Sequence, residues 1–523
     1  MATQHGIKFA LHIITNHFGN LVAKVCECLL RRGPLSLQHV IRYTELSKIQ
    51  VKNSLLVLIQ HNCVQAFYLD EPDAPKSTQY MVLFDNIIHR VRFSKFLVTV
   101  SQEFDKMCVD LTEALLQHGR LTLNQIHDRF NSIQKEGNSI SLDAVQENLH
   151  KLVTSHYVER CPLSEPVLTQ PDQDEVPARK RGAKSSKIIV EPETLEQRVI
   201  AAAVPVEAKR FSLITDDERN ADAVKDKCDS CTEHVGEKRK YDALESDVDS
   251  GGTEEQAVLW RVNFDEFIRR LRHKACTENI RTRLDDGAAI VISAMLEASR
   301  KEEKKVKTAK SAPLSLDSIY EEVIKNEMGR NMTFDHVRAS LFQLSSGPPF
   351  VIVEDDSYII DFKCIMKLAQ SDEVESVVLK RYGKDAYRIF RSLSEAGRLL
   401  ETDKISDTVF VEKKETTNIL YKMWQDNYIH MEKIVVGTTI FLLWKINKET
   451  LWKTVLDEMF HAALNLSIRM AYELEQQQEV LNLPADRREG PMKVKFERLK
   501  KVRMLLESSQ MKLDDAIMLF HDF

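Results

Sequence analysis

The side chains whose types and spacing come nearest to chemistry in this 523-residue sequence are Cys228, Cys231 and His234. Two cysteines three positions apart and a nearby histidine could supply three zinc ligands, but a structural site needs a fourth at a finger-like distance and none follows. The expectation is therefore no bound metal and no cofactor. Cys26 and Cys28 lie on the apolar side of a helical segment, where core packing accounts for them. No glycine-rich phosphate cradle, nucleophile elbow or His-Glu metalloprotease helix occurs. Nine cysteines without regular spacing read as reduced thiols rather than a disulfide framework.

The remaining candidates are cations. Lys48, Lys52, Arg338, Lys413 and Lys414 fall on or at the entry of segments with helical periodicity, where they could neutralise DNA phosphates. With only one or two cations per segment, such contact would be weak, salt-sensitive and indifferent to sequence. Solvated faces on protein-docking blocks are the competing reading, and it leads for Lys151, which Asp143 and Glu147 offset. Two basic clusters, Arg179, Lys180, Arg181 and then Lys238, Arg239, Lys240, suit an import receptor and a nuclear protein.

Those cations sit within a repeat. Val51, Leu55, Leu58, Val64 is matched at the same intervals by Val145, Leu149, Leu152, Val158 and by Thr416, Leu420, Met423, Ile429. Val337, Leu341, Leu344, Val351 lengthens only the last interval, at Gly347, Pro348 and Pro349. Upstream of three copies stands a turn and a hydroxyl residue between leucines, Ser36, Thr122 or Ser315, each placed to cap a helix; the fourth copy, at Gly397 to Glu401, lacks it. Helix, short strand, helix, long helix and two strands is the order of a winged helix. The expected wings are Gln65 to Tyr68 with Thr78 to Phe84, Phe350 to Glu354 with Ser357 to Phe362, and Ile429 to Val435 with Thr439 to Trp444. That of the second copy should be short or displaced.

Length and composition bound the rest. At 43% hydrophobic and 29% charged the chain is globular, too long for one core, and without an apolar run long enough to cross a bilayer or act as a signal peptide. Its net charge of −6 is concentrated between Ser164 and Gln256, where 22 acidic residues face 14 basic ones. With five prolines and only Phe211 and Tyr241 as aromatics, that stretch reads as a disordered linker. After it come two apolar stripes, Leu451 to Met470 and Leu499 to Ile517, broken at Leu483 to Pro491. Phe460, Tyr472 and Phe496 fall off a strict two-helix seam and are candidates for docking on a partner.

The expected fold is thus mainly α with small β wings: four tandem, extended winged-helix domains and a C-terminal antiparallel coiled-coil hairpin. Its boundaries are residues 1–88 and 89–163 for the first two domains, 164–256 for the linker, 257–370 and 371–447 for the next two, and 448–523 for the hairpin.

In this architecture, and in two local stretches, the chain resembles the large winged-helix subunit family peculiar to RNA polymerase III, itself similar to the alpha subunit of general transcription factor E. One stretch runs from His17, Phe18, Gly19 through Val51, Leu55, Val57, Leu58 to His61, Asn62. The other comprises Tyr382, Gly383, Arg388, Ile389, Phe390, Arg391 and then Leu420, Tyr421, Lys422, Met423. The resemblance implies a non-catalytic nuclear subunit that docks on the polymerase clamp, meets the largest subunit, the two other subunits of the initiation trimer and the initiation factor, and helps to open promoter DNA. Two alternatives stay open: a free-standing regulator reading bases with residues such as Asn53 and Gln60, and an enzyme.

Overall fold

A computed structural model describes residues 3–70, 77–133, 141–169, 194–213, 258–303, 307–436, 439–484 and 490–523. One order of elements recurs four times in it: a helix, a two-residue strand, two helices, then two strands. The first passage comprises helix Asn20–Arg32, strand Leu35–Ser36, helices Leu37–Thr44 and Lys48–Gln60, and strands Val64–Asp70 and Thr78–Val82. The second comprises Lys106–His118, Leu121–Thr122, Leu123–Ile133, Leu142–Thr154, Val158–Arg160 and Leu259–Val262. The third runs from Asp286–Ser299 through Leu314–Ser315, Leu316–Lys325, Phe334–Ser345 and Val351–Glu354 to Ser357–Ile360. The fourth runs from Lys384–Ala396 through Leu400–Glu401, Thr402–Val409, Lys413–Gln425 and His430–Val436 to Thr439–Lys445.

Each passage closes a small antiparallel sheet in which the last strand lies between the two others. The last strand always sets an aromatic opposite the leucine of the short strand: Tyr80 against Leu35, Trp260 against Leu121, Tyr358 against Leu314 and Trp444 against Leu400. Such a cross-strand pair fixes the register of an otherwise two-residue ladder. The sixteen apolar or β-branched positions of the sequence repeat are all buried. The constant final interval comes from one turn. The Cys63, Tyr157 and Tyr428 amides donate to the carbonyls of Leu58, Leu152 and Met423, and Asn62, His156 and Asn427 take the left-handed conformation that this closure requires. In the third block Gly347, at φ 108°, and the prolines after it add one residue, and Phe350 donates to Leu344 instead.

Thr122 and Ser315 cap their helices as expected, accepting from the Gln125 and Ser318 amides at 3.2 Å. Ser36 does not; its hydroxyl meets His39 Nδ1 at 2.8 Å. The fourth helix starts at Thr402 behind Glu401 with no side-chain cap.

The chain forms two compact units, residues 20–264 and residues 1–19 with 265–523. Several expectations change here. Helix Gln4–Phe18 does not belong with the first block: Phe9 packs on Phe460, and the His5 backbone N–H donates to Asp457 at 2.8 Å. Leu259–Val262 opens no third domain but completes the second block's sheet, about a hundred residues after its partner Val158–Arg160. The described parts of the acidic stretch are also ordered. Val167–Thr169 adds in parallel to Val64–Asp70, and helix Leu195–Ala203 buries Val199 against Phe67, Met81, Leu83 and Leu168. Phe211 stacks on His156 with ring centroids 4.0 Å apart. A few well-placed apolar side chains suffice because preformed wings receive them. Helices Lys448–Gln476 and Pro491–His521 pack on one another, and the first of them also packs on Gln4–Phe18.

Candidate nucleic-acid and docking surfaces

In a winged helix the third helix presents the outward row available to DNA or protein. Lys48 and Lys52 are both exposed on Lys48–Gln60, but they share its face with Ile49, 71% exposed, and Leu56, 64% exposed. Leu37, Leu55, Leu56, Ile59 and Tyr80 line a shallow apolar groove beside Lys52. Gln60, a candidate base reader, is committed elsewhere: its amide donates to the His118 carbonyl at 3.0 Å and to that of Arg120. The same turn explains Gly119, where a Cβ would lie 2.0 Å from the Gln60 carbonyl oxygen. Arg120 in turn donates to Asn62 Oδ1 at 2.9 Å. Asn53 remains exposed.

Lys151 lies 3.3 Å from Glu147, as expected, and its second acidic partner is Asp105 at 3.8 Å rather than Asp143. Arg338 is exposed between Phe334 and Phe342, which lie four residues before and four after it; Phe342 is 73% exposed. Lys413 is paired with Asp403 at 2.7 Å, so of the two lysines entering the fourth block's third helix it is the partly neutralised one, while Lys414 is exposed. Just before them Phe410 sits in a left-handed turn at φ 57° and is 93% exposed. A bulky residue there carries conformational strain and gains no burial. Across the block, Ile434 and Val435 stand exposed near the end of strand His430–Val436, and Ile440 near the start of strand Thr439–Lys445. The rows hold one or two cations each among large apolar side chains. The sequence reading missed Phe342, Phe410 and the apolar wing because it sought charge.

Buried polar groups do not build a reactive site among the described residues. Burial pushes Cys63, Cys108 and Cys161 up to about 11 and Cys276 to about 12, so these thiols stay protonated at neutral pH. On helix Phe264–Arg283, Glu266 pairs with Arg269 and with Arg300 at 2.9 Å, and Glu303 pairs with Arg272. Burial acts to raise the Glu303 carboxyl, but His273 at 3.2 Å, Arg272 and Thr308 outweigh it and hold the group at about 2. Glu303 is thus ionised, and burial lowers the pKa of His273 beside it, against the raising effect of its hydrogen bond to Glu303. This is an internal clamp rather than a surface. No group of three or more metal-ligating side chains occurs among the described residues; Cys228, Cys231 and His234 lie outside them, as do Arg179, Lys180, Arg181, Lys238, Arg239 and Lys240.

Of the three docking candidates on the carboxyl-terminal helices, Phe460 is withdrawn. It is 1% exposed, enclosed by Phe9 and by His521 at 6.0 Å between ring centroids. A hairpin of two helices has a single seam that leaves Phe460 in water, and Gln4–Phe18 is the third helix that covers it. Tyr472 is 49% exposed and Phe496 half-buried.

Fold and surface together define a helical protein with small sheets and winged-helix structure, built to present mixed apolar and cationic rows. Three family models agree with that class: the RNA polymerase III subunit RPC82 helix-turn-helix domain matches residues 8–69, RNA polymerase III subunit RPC82 matches 147–369, and the POLR3C C-terminal winged-helix domain matches 374–439. The chain is 24% identical to DNA-directed RNA polymerase III subunit RPC3 of Bos taurus, over 92% of this chain and 86% of the relative. The human subunit gives the same figures, and that of Dictyostelium discoideum is 20% identical over 91% and 92%. The chain belongs to the RPC3 (RPC82) family of RNA polymerase III subunits, and its part in that enzyme is a non-catalytic one.

Proposed function

We propose that the four blocks are tandem winged-helix domains and that the chain serves transcription initiation as a docking subunit, seated on the polymerase clamp against the largest subunit. In this reading it meets the two other initiation-trimer subunits and the initiation factor, and supports promoter opening through weak, sequence-tolerant DNA contact. The observation that carries it is the make-up of the outward rows: Ile49, Leu56, Phe342 and Phe410 are 71%, 64%, 73% and 93% exposed, while the cations beside them are few. The helices of residues 448–523 form a coiled-coil anchor on the polymerase, with Tyr472 and Phe496 as its contacts.

The free-standing regulator loses ground because Gln60 is occupied by the His118–Arg120 turn, which leaves Asn53 alone on its row. Titrating the full chain with unrelated DNA duplexes across salt concentrations tests the DNA part. We expect about micromolar affinity or weaker, similar for every sequence, and a salt slope lowered by about 0.9 for each of Lys48, Lys52, Arg338 and Lys414 that contacts phosphate and is replaced by alanine. Tight binding to one duplex would instead support the regulator. Nuclear residence through the two basic clusters is tested by replacing all six cations with alanine and following the isolated chain in cells; a cytoplasmic shift is expected.

A further inference from the structure

The four small sheets differ in how their outer edge is finished. The edge strand has three residues in the second block and four in the third, Val158–Arg160 and Val351–Glu354, and so offers little to another chain. In the first and fourth blocks it has seven, Val64–Asp70 and His430–Val436. The first of these long edges is filled. Val167, Leu168 and Thr169 run parallel to it, opposite Tyr68, Leu69 and Asp70, and the Tyr68 N–H donates outward to the Pro166 carbonyl at 3.0 Å. Outside His430–Val436 no strand pairs among the described residues.

The register identifies what the fourth edge leaves open. Tyr80 and Trp444 hold the same place in their sheets, opposite Leu35 and Leu400 on one side and opposite Ala66 and Met431 on the other. Counting on from Ala66 and Met431, Tyr68, Leu69 and Asp70 correspond to Lys433, Ile434 and Val435. Amides alternate in direction along an edge strand, so those of Lys433 and Val435 point outward as that of Tyr68 does, and that of Ile434 points into the hairpin. All three residues are exposed, Ile434 by 43% and Val435 by 60%. In the first block the added strand brings Leu168 down on Phe67 and Met81. The equivalent place, opposite Ile434, adjoins the half-buried Phe441 across the hairpin.

We infer that residues 433–435 are a strand-addition site, where an extended segment of a partner protein, aliphatic at its centre, pairs in parallel through main-chain hydrogen bonds as Val167–Thr169 does within this chain. The occupied edge shows both the direction of the incoming strand and the side chain it needs. A nucleic acid would leave Ile434 and Val435 in water.

The inference rests on the docking reading of the exposed wing, and amide exchange tests it apart from that reading. Exchange is followed residue by residue in the isolated full chain and in the chain within assembled RNA polymerase III. We expect the Lys433 and Val435 amides to exchange roughly a hundredfold faster than that of Tyr68 in the isolated chain and to slow to the Tyr68 rate in the polymerase, while the Ile434 amide changes little. Rates that stay fast in the polymerase overturn the site. Slowing that appears in the isolated chain as its concentration rises also overturns it, because two copies then pair edge to edge. Lys433→Pro with Val435→Pro deletes both outward donors and no hairpin donor, a change that an edge strand tolerates. At an unchanged unfolding midpoint it should lower recovery with the polymerase at least fivefold more than Lys433→Ala with Val435→Ala; equal recovery of the two pairs overturns strand addition. The docking reading would then stand or fall separately, on whether Ile440→Asp, which leaves the edge's main chain intact, still co-purifies with the polymerase.

Discussion

The wings of the first and fourth blocks share a topology and differ in what covers them. Val64–Asp70 is paired on its outer side by Val167–Thr169 and backed by Val199, so the chain satisfies that edge itself. His430–Val436 occupies the equivalent edge of its own sheet, and towards its end Ile434 and Val435 stand exposed, with Ile440 opposite Val435. An uncovered apolar sheet edge is costly in a monomer and is tolerated where a partner arrives. The contrast separates surface the chain closes for its own stability from surface it leaves for assembly. On the docking reading proposed above, the Glu303 clamp belongs to the first kind, and Phe410, Ile468 and Tyr472, exposed by 93%, 48% and 49%, belong to the second.

If that division is right, substitutions on the two kinds of surface should be read by different instruments. The largest loss of stability is expected for Val199→Asp, which puts a charge into the core of Phe67, Met81 and Leu83: about 3 kcal/mol or more, measured by denaturant unfolding of the full chain, with earlier proteolytic cleavage around residues 195–203. Close behind comes Glu303→Gln. A carboxyl held at about 2, against an ordinary 4.5, contributes stability that is fully present above pH 4.5 and is lost as pH falls towards 2. The variant should therefore be less stable by about 3 kcal/mol at neutral pH, and the gap from the parent should narrow on acidification below pH 4.5; a gap independent of pH would remove the clamp. Smallest is Ile440→Asp on the fourth wing. Its effect on unfolding should stay within about 0.5 kcal/mol, and a large destabilisation would mean that the open wing is covered after all.

The repeat was legible because burial at fixed helical intervals, closed by one turn geometry, leaves a period in the sequence that survives exchange of Val for Thr or Leu for Met. What was not legible depended on partners distant in the chain. Trp260 pairs with Leu121 across more than a hundred residues, so its strand looked like the start of something new; its place opposite leucine, shared with Tyr80, Tyr358 and Trp444, was the available signal. Helix Gln4–Phe18 reads locally as part of the first block, and only the Phe9–Phe460 contact reveals where it packs. Removing residues 448–523 would for that reason disturb folding as well as docking. It would strip the cover from Phe9 and Ile13 and remove Glu458, which receives hydrogen bonds from Arg381 and Tyr428 at 3.0 and 2.8 Å.

The most direct measurement is therefore the recovery of RNA polymerase III subunits on the tagged full chain when Ile440→Asp, Ile468→Asp and Tyr472→Asp are combined. Open surface reserved for assembly predicts at least a fivefold loss of polymerase at an unchanged unfolding midpoint. Parental recovery from an equally stable variant would contradict it.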